Sequence, residues 1–151
     1  YIDSVLTFEE LQALFDSRDL DITALPEDVL DNASYFGRIF ARSGGLTDAV
    51  AEALKEQVID FELKPLSCNG IEECKLALMK AARGKLDANF VEGMACVGGC
   101  VNGAGCMTHN ERNRVKVDAH SQQAQLKSIT DSLLYAAEID RELKEKAGDK
   151  A

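Results

Sequence analysis

The stretch between residues 94 and 106 limits the fold of this chain more than any other segment. It holds three cysteines, at positions 96, 100 and 106, and four glycines, at positions 98, 99, 103 and 105. Glycines lack a Cβ atom, so a bulky inorganic cluster could approach the backbone here and accept hydrogen bonds from its N–H groups. Cys96 and Cys100 lie four positions apart, and on a helix that spacing directs two thiolates the same way.

Spacing alone leaves two interpretations of this segment open. The first is a metal site, for which zinc is the less favoured metal. Structural zinc sites use a two-residue gap between cysteines that is repeated in a second knuckle, and this chain has no second knuckle. The second interpretation is a set of buried, inert thiols on a helix.

The net charge excludes two classes of binding partner, and the cysteines together with the N-terminal sequence indicate the cellular compartment. The 151 residues carry 17 Lys and Arg against 26 Asp and Glu, which gives a net charge of −9. This argues against nucleic acid and anionic membranes as partners, because both require a basic face. No apolar run approaches the roughly 18–20 residues of a membrane span. An odd number of cysteines and no secretory signal argue against a secreted disulfide framework, so we expect a cytoplasmic protein.

Strands alternate with helices along the chain, which predicts an α/β fold. Strands are predicted over residues 2–6, 59–63 and 89–91, and residues 36–41 form either a buried strand or an irregular segment. The helix signals are a Thr7–Glu10 capping box, Pro26, the Ser43-Gly44-Gly45 turn before residues 47–57, the Asn69-Gly70 turn, and an amphipathic pattern from about 122 to 146.

The literal sequence of the cysteine segment is more specific than its spacing. Residues 90–107 read Phe-Val-Glu-Gly-Met-Ala-Cys-Val-Gly-Gly-Cys-Val-Asn-Gly-Ala-Gly-Cys-Met. This resembles the third cluster-binding motif of the iron-only ([FeFe]) hydrogenase catalytic domain, which runs Phe-x-Glu-Val-Met-Ala-Cys-x-Gly-Gly-Cys-x-x-Gly-Gly-Gly-Gln-Pro. A looser likeness upstream extends the resemblance over residues 1–107.

The resemblance implies an α/β fold, the C-terminal half of that catalytic domain, with a parallel or mixed sheet flanked by helices and a long C-terminal helix. It divides the chain into residues 1–120, the hydrogenase-like portion, and residues 121–151, an amphipathic helix and tail.

The resemblance also implies a role for each residue of the loop. In the family, four cysteines hold a 4Fe–4S cluster, and one of them bridges to a di-iron centre; together these form the H-cluster, which interconverts dihydrogen with protons and electrons. Cys96 would ligate the 4Fe–4S cluster, and Cys100 would be the bridging thiolate. The remaining cofactor-binding residues would be Met94, whose thioether would lie against the di-iron subcluster, and Gly98, Gly99 and Gly103.

The other two cluster cysteines of the family lie in upstream motifs that this chain lacks. Two ligands cannot hold a four-ligand cluster, so we expect a fragment that is inactive alone, with the H-cluster present only in the full-length parent. The chain begins at Tyr1 without Met, so it is either processed or part of something longer. The implied partners are the missing N-terminal part of the parent domain, a ferredoxin-like electron carrier and the H-cluster maturation proteins.

Departures from the family motif indicate a divergent subgroup. Gly93 stands where the motif has Val, Ala104 replaces its middle Gly, and Cys106-Met107 replaces Gln-Pro. One alternative is therefore a hydrogenase-like iron–sulfur sensor or cluster-assembly protein without turnover of dihydrogen. Another is a structural domain whose cysteines bind zinc or nothing.

The sequence positions of the remaining cysteines and of the two histidines indicate structural rather than chemical roles for most of them. Cys74 shares an apolar helical face and is expected to be a buried thiol, whereas Cys68, near a loop, is either reactive or accidental. Cys106 is a free thiol or an extra ligand. His109 is a solvated loop residue, with a metal or proton role as the alternative, and His120 is expected at a helix start.

Overall fold

A computed structural model describes residues 2–26, 33–110 and 112–148 of the chain. These residues contain six α-helices and one small parallel sheet. The elements, in chain order, are α1 (Phe8–Asp16), α2 (Tyr35–Arg38), α3 (Gly45–Glu56), β1 (Pro65–Asn69), α4 (Ile71–Ala82), β2 (Phe90–Met94), α5 (Arg112–Gln122) and α6 (Ile129–Gly148). Short 3₁₀ turns lie at Ile22–Ala24, Ile39–Ala41 and Cys100–Asn102. The predicted α/β class is confirmed.

The sheet is a single β1–α4–β2 unit within the described residues. The two strands are parallel, and Cys68 pairs with Gly93 while Asn69 pairs with Met94. Parallel neighbours need a crossover between them, and α4 provides it. The turn predicted at residues 69–70 and the strand predicted at 89–91 are therefore found, and both strands end at the same edge of the sheet.

Two predicted helix starts are confirmed in detail. Thr7 and Glu10 form a reciprocal capping box at α1: Thr7 N donates to Glu10 Oε2 at 2.7 Å, and Glu10 N donates to Thr7 Oγ1 at 3.2 Å. The predicted helix over residues 47–57 is α3, which begins at Gly45. A Cβ atom at Gly45 would lie 1.9 Å from the carbonyl oxygen of Ile39, so only glycine fits this close approach.

Two predictions of strand structure are wrong, and for a third segment the strand alternative is excluded. Residues 2–6 form no strand, and residues 36–41 lie in α2 and the 3₁₀ turn that follows it, because Ser34 Oγ accepts a bond from Gly37 N and caps a helix there. The apolar alternation over residues 59–63 belongs to no strand; Phe61 N donates to the carbonyl oxygen of Ile59 at 2.9 Å, and Ile59 and Phe61 are about half exposed. A strand requires a partner, and β2 offers one only from Pro65 onward. The helix predicted to begin at Pro26 runs into residues 27–32, which lie outside the described residues.

The C-terminal region is not one continuous helix from residue 122. α5 ends at Gln122, and α6 begins at Ile129 after a non-helical connection. His120 lies in the last turn of α5 rather than at a helix start, so that prediction is also wrong. The Glu56 carboxylate receives Ile129 N at 2.8 Å and Thr130 N at 2.8 Å, and this cap from α3 marks the new helix start. The division into residues 1–120 and 121–151 stays a prediction.

Few side chains of the described residues are fully buried, and the buried set mixes apolar with polar groups. The apolar members are Ile39, Ala49, Cys68, Ala77 and Ala124, and the polar ones are Ser34, Arg42, Ser43, Glu92 and Ser121. None of the helices searched, all within the described part of the chain, has the length and apolar character that crossing a membrane requires.

Candidate metal centre

Residues 95–106, which we call the cysteine loop, lie at the carboxyl edge of the sheet, where both strands end. Gly98 N donates to Asn69 Oδ1 at 2.6 Å, and Gly70 N donates to the carbonyl oxygen of Met94 at 2.8 Å. Asn69 N in turn donates to Glu73 Oε2 in the first turn of α4 at 2.7 Å. The turn after β1 therefore supports the loop after β2. Crevices at this edge of parallel sheets are frequent ligand sites.

Two consecutive glycines give the loop its path. Gly98 and Gly99 have φ values of +87° and +97°, a region that residues with side chains rarely adopt. A Cβ atom at Gly99 would lie 2.6 Å from Ser43 N and 2.7 Å from the carbonyl oxygen of Ala41. Ser43 N also donates to the carbonyl oxygen of Gly98 at 3.1 Å. The loop thus packs backbone against backbone on the segment before α3.

The two predicted ligands lie on either side of this glycine pair. Cys96 is half-buried in the turn after β2, and Cys100 is exposed at the first residue of a 3₁₀ turn. The expected common helical face is therefore wrong, because positive φ values at the intervening glycines prevent an α-helix. A Cβ atom at Gly103 would lie 3.3 Å from Cys96 Sγ and 3.1 Å from the carbonyl oxygen of Cys100, so a larger residue here would crowd both cysteines.

The other candidate residues take separate positions around the loop. Met94, half-buried, is the last residue of β2. Cys106 Sγ donates to the carbonyl oxygen of Cys100 at 3.2 Å. His109 is an exposed loop residue, as predicted, and its Nδ1 lies 3.1 Å from the carbonyl oxygen of Asn102.

The ligand chemistry fits a share of an iron–sulfur cluster rather than a complete site. Cys96 and Cys100 supply two thiols, neither of them buried in the core, and Gly103 leaves the space beside Cys96 free of a Cβ atom. Among the described residues, no group of three or more cysteine, histidine or acidic side chains could hold a metal ion. A 4Fe–4S cluster held by four cysteines would thus need ligands in addition to these two.

A buried carboxylate beneath the site was not predicted from the sequence. Glu92, only 2% exposed, accepts bonds from Gly44 N at 2.9 Å, Thr47 N at 3.0 Å and Thr47 Oγ1 at 2.5 Å, and from Ser67 Oγ at 3.3 Å. Burial would raise the pKa of Glu92, but the hydrogen bonds from Thr47, Gly44 and Ser67 outweigh it and lower that pKa. The sequence carried one signal for this contact. Gly44, the residue before α3, has no side chain that could cap the helix, so the first N–H groups of α3 need an acceptor from another element.

A buried arginine holds the segment against which the loop packs. Arg42 is 5% exposed; its Nη2 lies 2.9 Å from Asp48 Oδ2, and its Nε lies 2.5 Å from Asp118 Oδ1 on α5. Burial alone would lower the pKa of Arg42, but hydrogen bonds to Asp48 and Asp118 raise it above the ordinary value. The guanidinium therefore stays charged and ties α5 to the start of α3.

Comparisons with known proteins found a family and a relative to which this chain is similar. The chain matches the family described as "Iron only hydrogenase large subunit, C-terminal domain" over residues 1–104. It is also similar to Iron hydrogenase 1 of Clostridium pasteurianum, with 27% identity over 164 aligned positions. That alignment covers 89% of this chain and 27% of the relative, so the chain spans about a quarter of the relative's length. The family match includes Cys96, Cys100 and Gly103 and ends before Cys106.

Proposed function

Because this chain belongs to the iron-only hydrogenase large-subunit family, we propose that it supplies two ligands, Cys96 and Cys100, to the H-cluster of a longer oxidoreductase. The observation that carries the proposal is the Met-Ala-Cys-x-Gly-Gly-Cys loop at the carboxyl edge of the sheet, with neither thiol in the core. When bound, the H-cluster would supply the reversible combination of two protons and two electrons into dihydrogen.

The protein's share of this work is to hold and surround the cluster. Cys96 would be a ligand of the 4Fe–4S part, and Cys100, the more exposed thiol, would bridge to the di-iron part. Gly103 would leave room for an inorganic sulfide beside Cys96, because a Cβ atom there would lie 3.3 Å from Cys96 Sγ. Gly98 and Gly99 would give the loop its path around the cluster, because a Cβ atom at either would meet Asn102 or the backbone of residues 41–43. Met94 would place a polarisable thioether beside the di-iron part.

The residues that position the loop act through the backbone. Asn69 Oδ1 accepts from Gly98 N at 2.6 Å, and Glu92 accepts from the amides of Gly44 and Thr47, directly after residues 41–43, on which Gly98 and Gly99 pack. A rigid loop keeps both thiols in place when the cluster changes charge, which lowers the reorganisation that electron transfer requires. The remaining ligands would come from other parts of the parent, and a ferredoxin-like protein would carry the electrons.

Expression of the complete gene product that contains this chain tests the proposal. The protein would be purified anaerobically after co-expression with hydrogenase maturation proteins, and its iron, acid-labile sulfide and dihydrogen evolution with reduced viologen would be measured. We expect iron, sulfide and dihydrogen from the unmodified protein. Cys96→Ser and Cys100→Ser should each lose most of the activity, and Cys96→Ser should also lose 4Fe–4S absorption.

Cys106→Ser is the matched control, since this thiol only donates to the carbonyl oxygen of Cys100 and lies outside the family match. It should keep the iron content of the unmodified protein. Iron that survives both Cys96→Ser and Cys100→Ser would contradict the proposal. Iron that depends on these cysteines, without any dihydrogen, would keep the ligand assignment and favour the sensor or assembly alternative, to which Cys106-Met107 in place of Gln-Pro already points.

A further inference from the structure

Two thiols that the proposed function does not use lie beside the same glycine, Gly93, near the ends of the two strands. Cys68, on β1, is 2% exposed, and the half-buried Cys74 follows on the first turn of α4. Cys68 is the register partner of Gly93 on β2, and a Cβ atom at Gly93 would lie 3.3 Å from Cys74 Sγ, so both thiols lie beside Gly93. Cys74 Sγ also lies 3.8 Å from the carbonyl oxygen of Met94, to which it donates. The pair therefore lies between the two strand ends and the crossover helix.

Gly93 makes room for this pair. It is the register partner of Cys68 on β2, and a Cβ atom there would lie 3.3 Å from Cys74 Sγ. That distance is tighter than ordinary van der Waals contact, so a branched side chain would displace the sulfur. The hydrogenase motif has Val at this position, and here the space beside the strand is taken by a second thiol. The thiol pair thus accompanies a departure from the family motif.

We propose that Cys68 and Cys74 are a reversible redox pair, a dithiol that small-molecule disulfides such as oxidised glutathione convert to an intrachain disulfide. Both thiols lie beside Gly93, and a disulfide needs their sulfurs to close to about 2.05 Å. Six positions separate the two cysteines, with a strand end, a turn and one helical turn between them. The bridge would therefore link local elements rather than distant ones.

The exchange proceeds in two balanced steps. Cys74 is the more accessible thiol; it releases its proton to solvent and attacks one sulfur of the small disulfide, whose S–S bond breaks as the mixed disulfide forms. The departing thiolate takes up a proton. The Cys68 sulfur, after losing its proton, attacks the Cys74 sulfur and expels the second small thiol. Two electrons and two protons pass from the chain to the small disulfide, which becomes two thiols.

The order of attack follows from the surroundings of the two sulfurs. Burial raises the pKa of the Cys68 thiol, and the neighbouring Cys74 and the Glu73 carboxylate raise it further. Cys68 is thus the poorer initial nucleophile and acts only once Cys74 holds the mixed disulfide beside it.

Oxidation would act on the turn that supports the cysteine loop. The bridge closes a ring over residues 68–74, and that ring contains Asn69 and Gly70. Asn69 Oδ1 accepts from Gly98 N at 2.6 Å, and Gly70 N donates to the carbonyl oxygen of Met94 at 2.8 Å. A disulfide would restrict this turn and, through these two bonds, the position of the loop.

Peptide mapping of the full chain, without iron, tests the pair independently of the hydrogenase proposal. The reduced protein would be equilibrated anaerobically with increasing ratios of oxidised to reduced glutathione, acid-quenched, alkylated and digested after glutamate. Cleavage at Glu72 and Glu73 separates Cys68 from Cys74, so their peptides stay together only when bridged. We expect a bridged species that has lost two hydrogens, that dithiothreitol reverses, and that Cys74→Ser abolishes.

Cys106→Ser is the control and should form the same bridge in the same proportion. Recovery of Cys68 and Cys74 as separate alkylated peptides, at a ratio where Cys100 is already glutathionylated, would overturn the proposal. A bridge that joins other cysteines instead would also overturn it. The unmodified chain gives this answer by itself, so the test does not depend on whether a Cys68 variant folds.

Discussion

Asn69 Oδ1 accepts a hydrogen bond from Gly98 N at 2.6 Å, and this bond joins the end of β1 to the loop after β2. The two residues are 29 positions apart in the sequence, yet both stand where a parallel strand ends. The amide of Gly98 lies between the two candidate ligands, Cys96 and Cys100. A side chain outside the cysteine motif therefore sets the position of the motif.

We predict that Asn69→Ala loosens the cysteine loop without unfolding the protein. Loss of the acceptor leaves the part-buried Gly98 N without its partner, which should cost about 1–3 kcal/mol of unfolding free energy. Thermal unfolding measures this loss, and amide exchange by NMR should show faster exchange at Gly98. Asn69→Asp keeps an acceptor oxygen and is the control. Equal exchange at Gly98 in both variants would contradict the assigned role.

Gly99→Ala is predicted to be among the most damaging single changes in the loop. The added Cβ would lie 2.6 Å from Ser43 N at a φ of +97°, so both a backbone clash and conformational strain oppose it. We expect a loss of about 3 kcal/mol or more in chemical denaturation. Gly105→Ala is the matched control, since nothing lies within 4 Å of its Cβ position, and it should change stability by less than about 0.5 kcal/mol. Similar losses in both variants would contradict the close approach.

The sequence identified the loop of the candidate site but did not predict the geometry of that loop. The Met-Ala-Cys-x-Gly-Gly-Cys string is rare enough to identify the loop, and its glycines were expected to leave room for a cluster. At Gly99 the space that a Cβ atom would take lies against the backbone of residues 41–43 instead, which the sequence did not predict. The same glycines made the expected helix impossible, because φ values near +90° end helical geometry. Spacing rules for ligands on a helix therefore did not apply to Cys96 and Cys100.

What the sequence did not reveal depends on tertiary partners. The alternation at Ile59 and Phe61 looks like a strand, but a strand exists only where another pairs with it, and β2 pairs from Pro65. Glu92 looks like an ordinary acid in a strand until the uncapped start of α3 is placed beside it. Capping signals and apolar periodicity in the sequence did predict α1, α3 and α4, because a helix satisfies its backbone hydrogen bonds within one segment.

Gly93 and Cys74 should behave as a coupled pair in a double-mutant cycle. Gly93→Val places a branched side chain where Cys74 Sγ now lies, 3.3 Å from the Cβ position, and should destabilise the protein by about 1–3 kcal/mol. Cys74→Ala removes the sulfur, so Gly93→Val in that background should cost at least about 1 kcal/mol less. Denaturant unfolding of the four proteins measures the coupling. Additive losses would show that the two positions do not compete for the same space.

Glu92→Gln is predicted to weaken the contact between β2 and the start of α3. The variant keeps the size of the side chain, but its amide group cannot accept from Gly44 N and Thr47 at both ends, so at least one buried donor loses its partner. We expect a loss of about 2 kcal/mol or more at neutral pH. Glu62→Gln is the control, because Glu62 is exposed, 3.7 Å from Lys64 Nζ, and should change stability by less than about 0.5 kcal/mol. Equal stability of the two variants would contradict the role of Glu92.

Acid should release α6 from α3 through Glu56. Hydrogen bonds from the side chain and backbone of Thr130, and then from Ile129 N, lower the pKa of Glu56 from 4.5 to about 2. The folded-state pKa is depressed, so the stabilisation is present above the unfolded value of 4.5 and is lost as the pH falls from 4.5 towards 2. Over that window the protection factors of the Ile129 and Thr130 amides, which compare the measured exchange rate with the intrinsic rate at each pH, should fall.

The matched comparison is Glu56→Gln, which cannot ionise. In that variant the exchange at Ile129 and Thr130 should already be fast at neutral pH, and acid should add little beyond the intrinsic pH dependence of exchange. Glu52→Gln, one turn earlier on α3, alters an ion pair with Lys55 and should retain the acid response. An acid response that survives in Glu56→Gln would place the titrating group elsewhere, because Glu56 is the carboxylate that receives both amides at the start of α6.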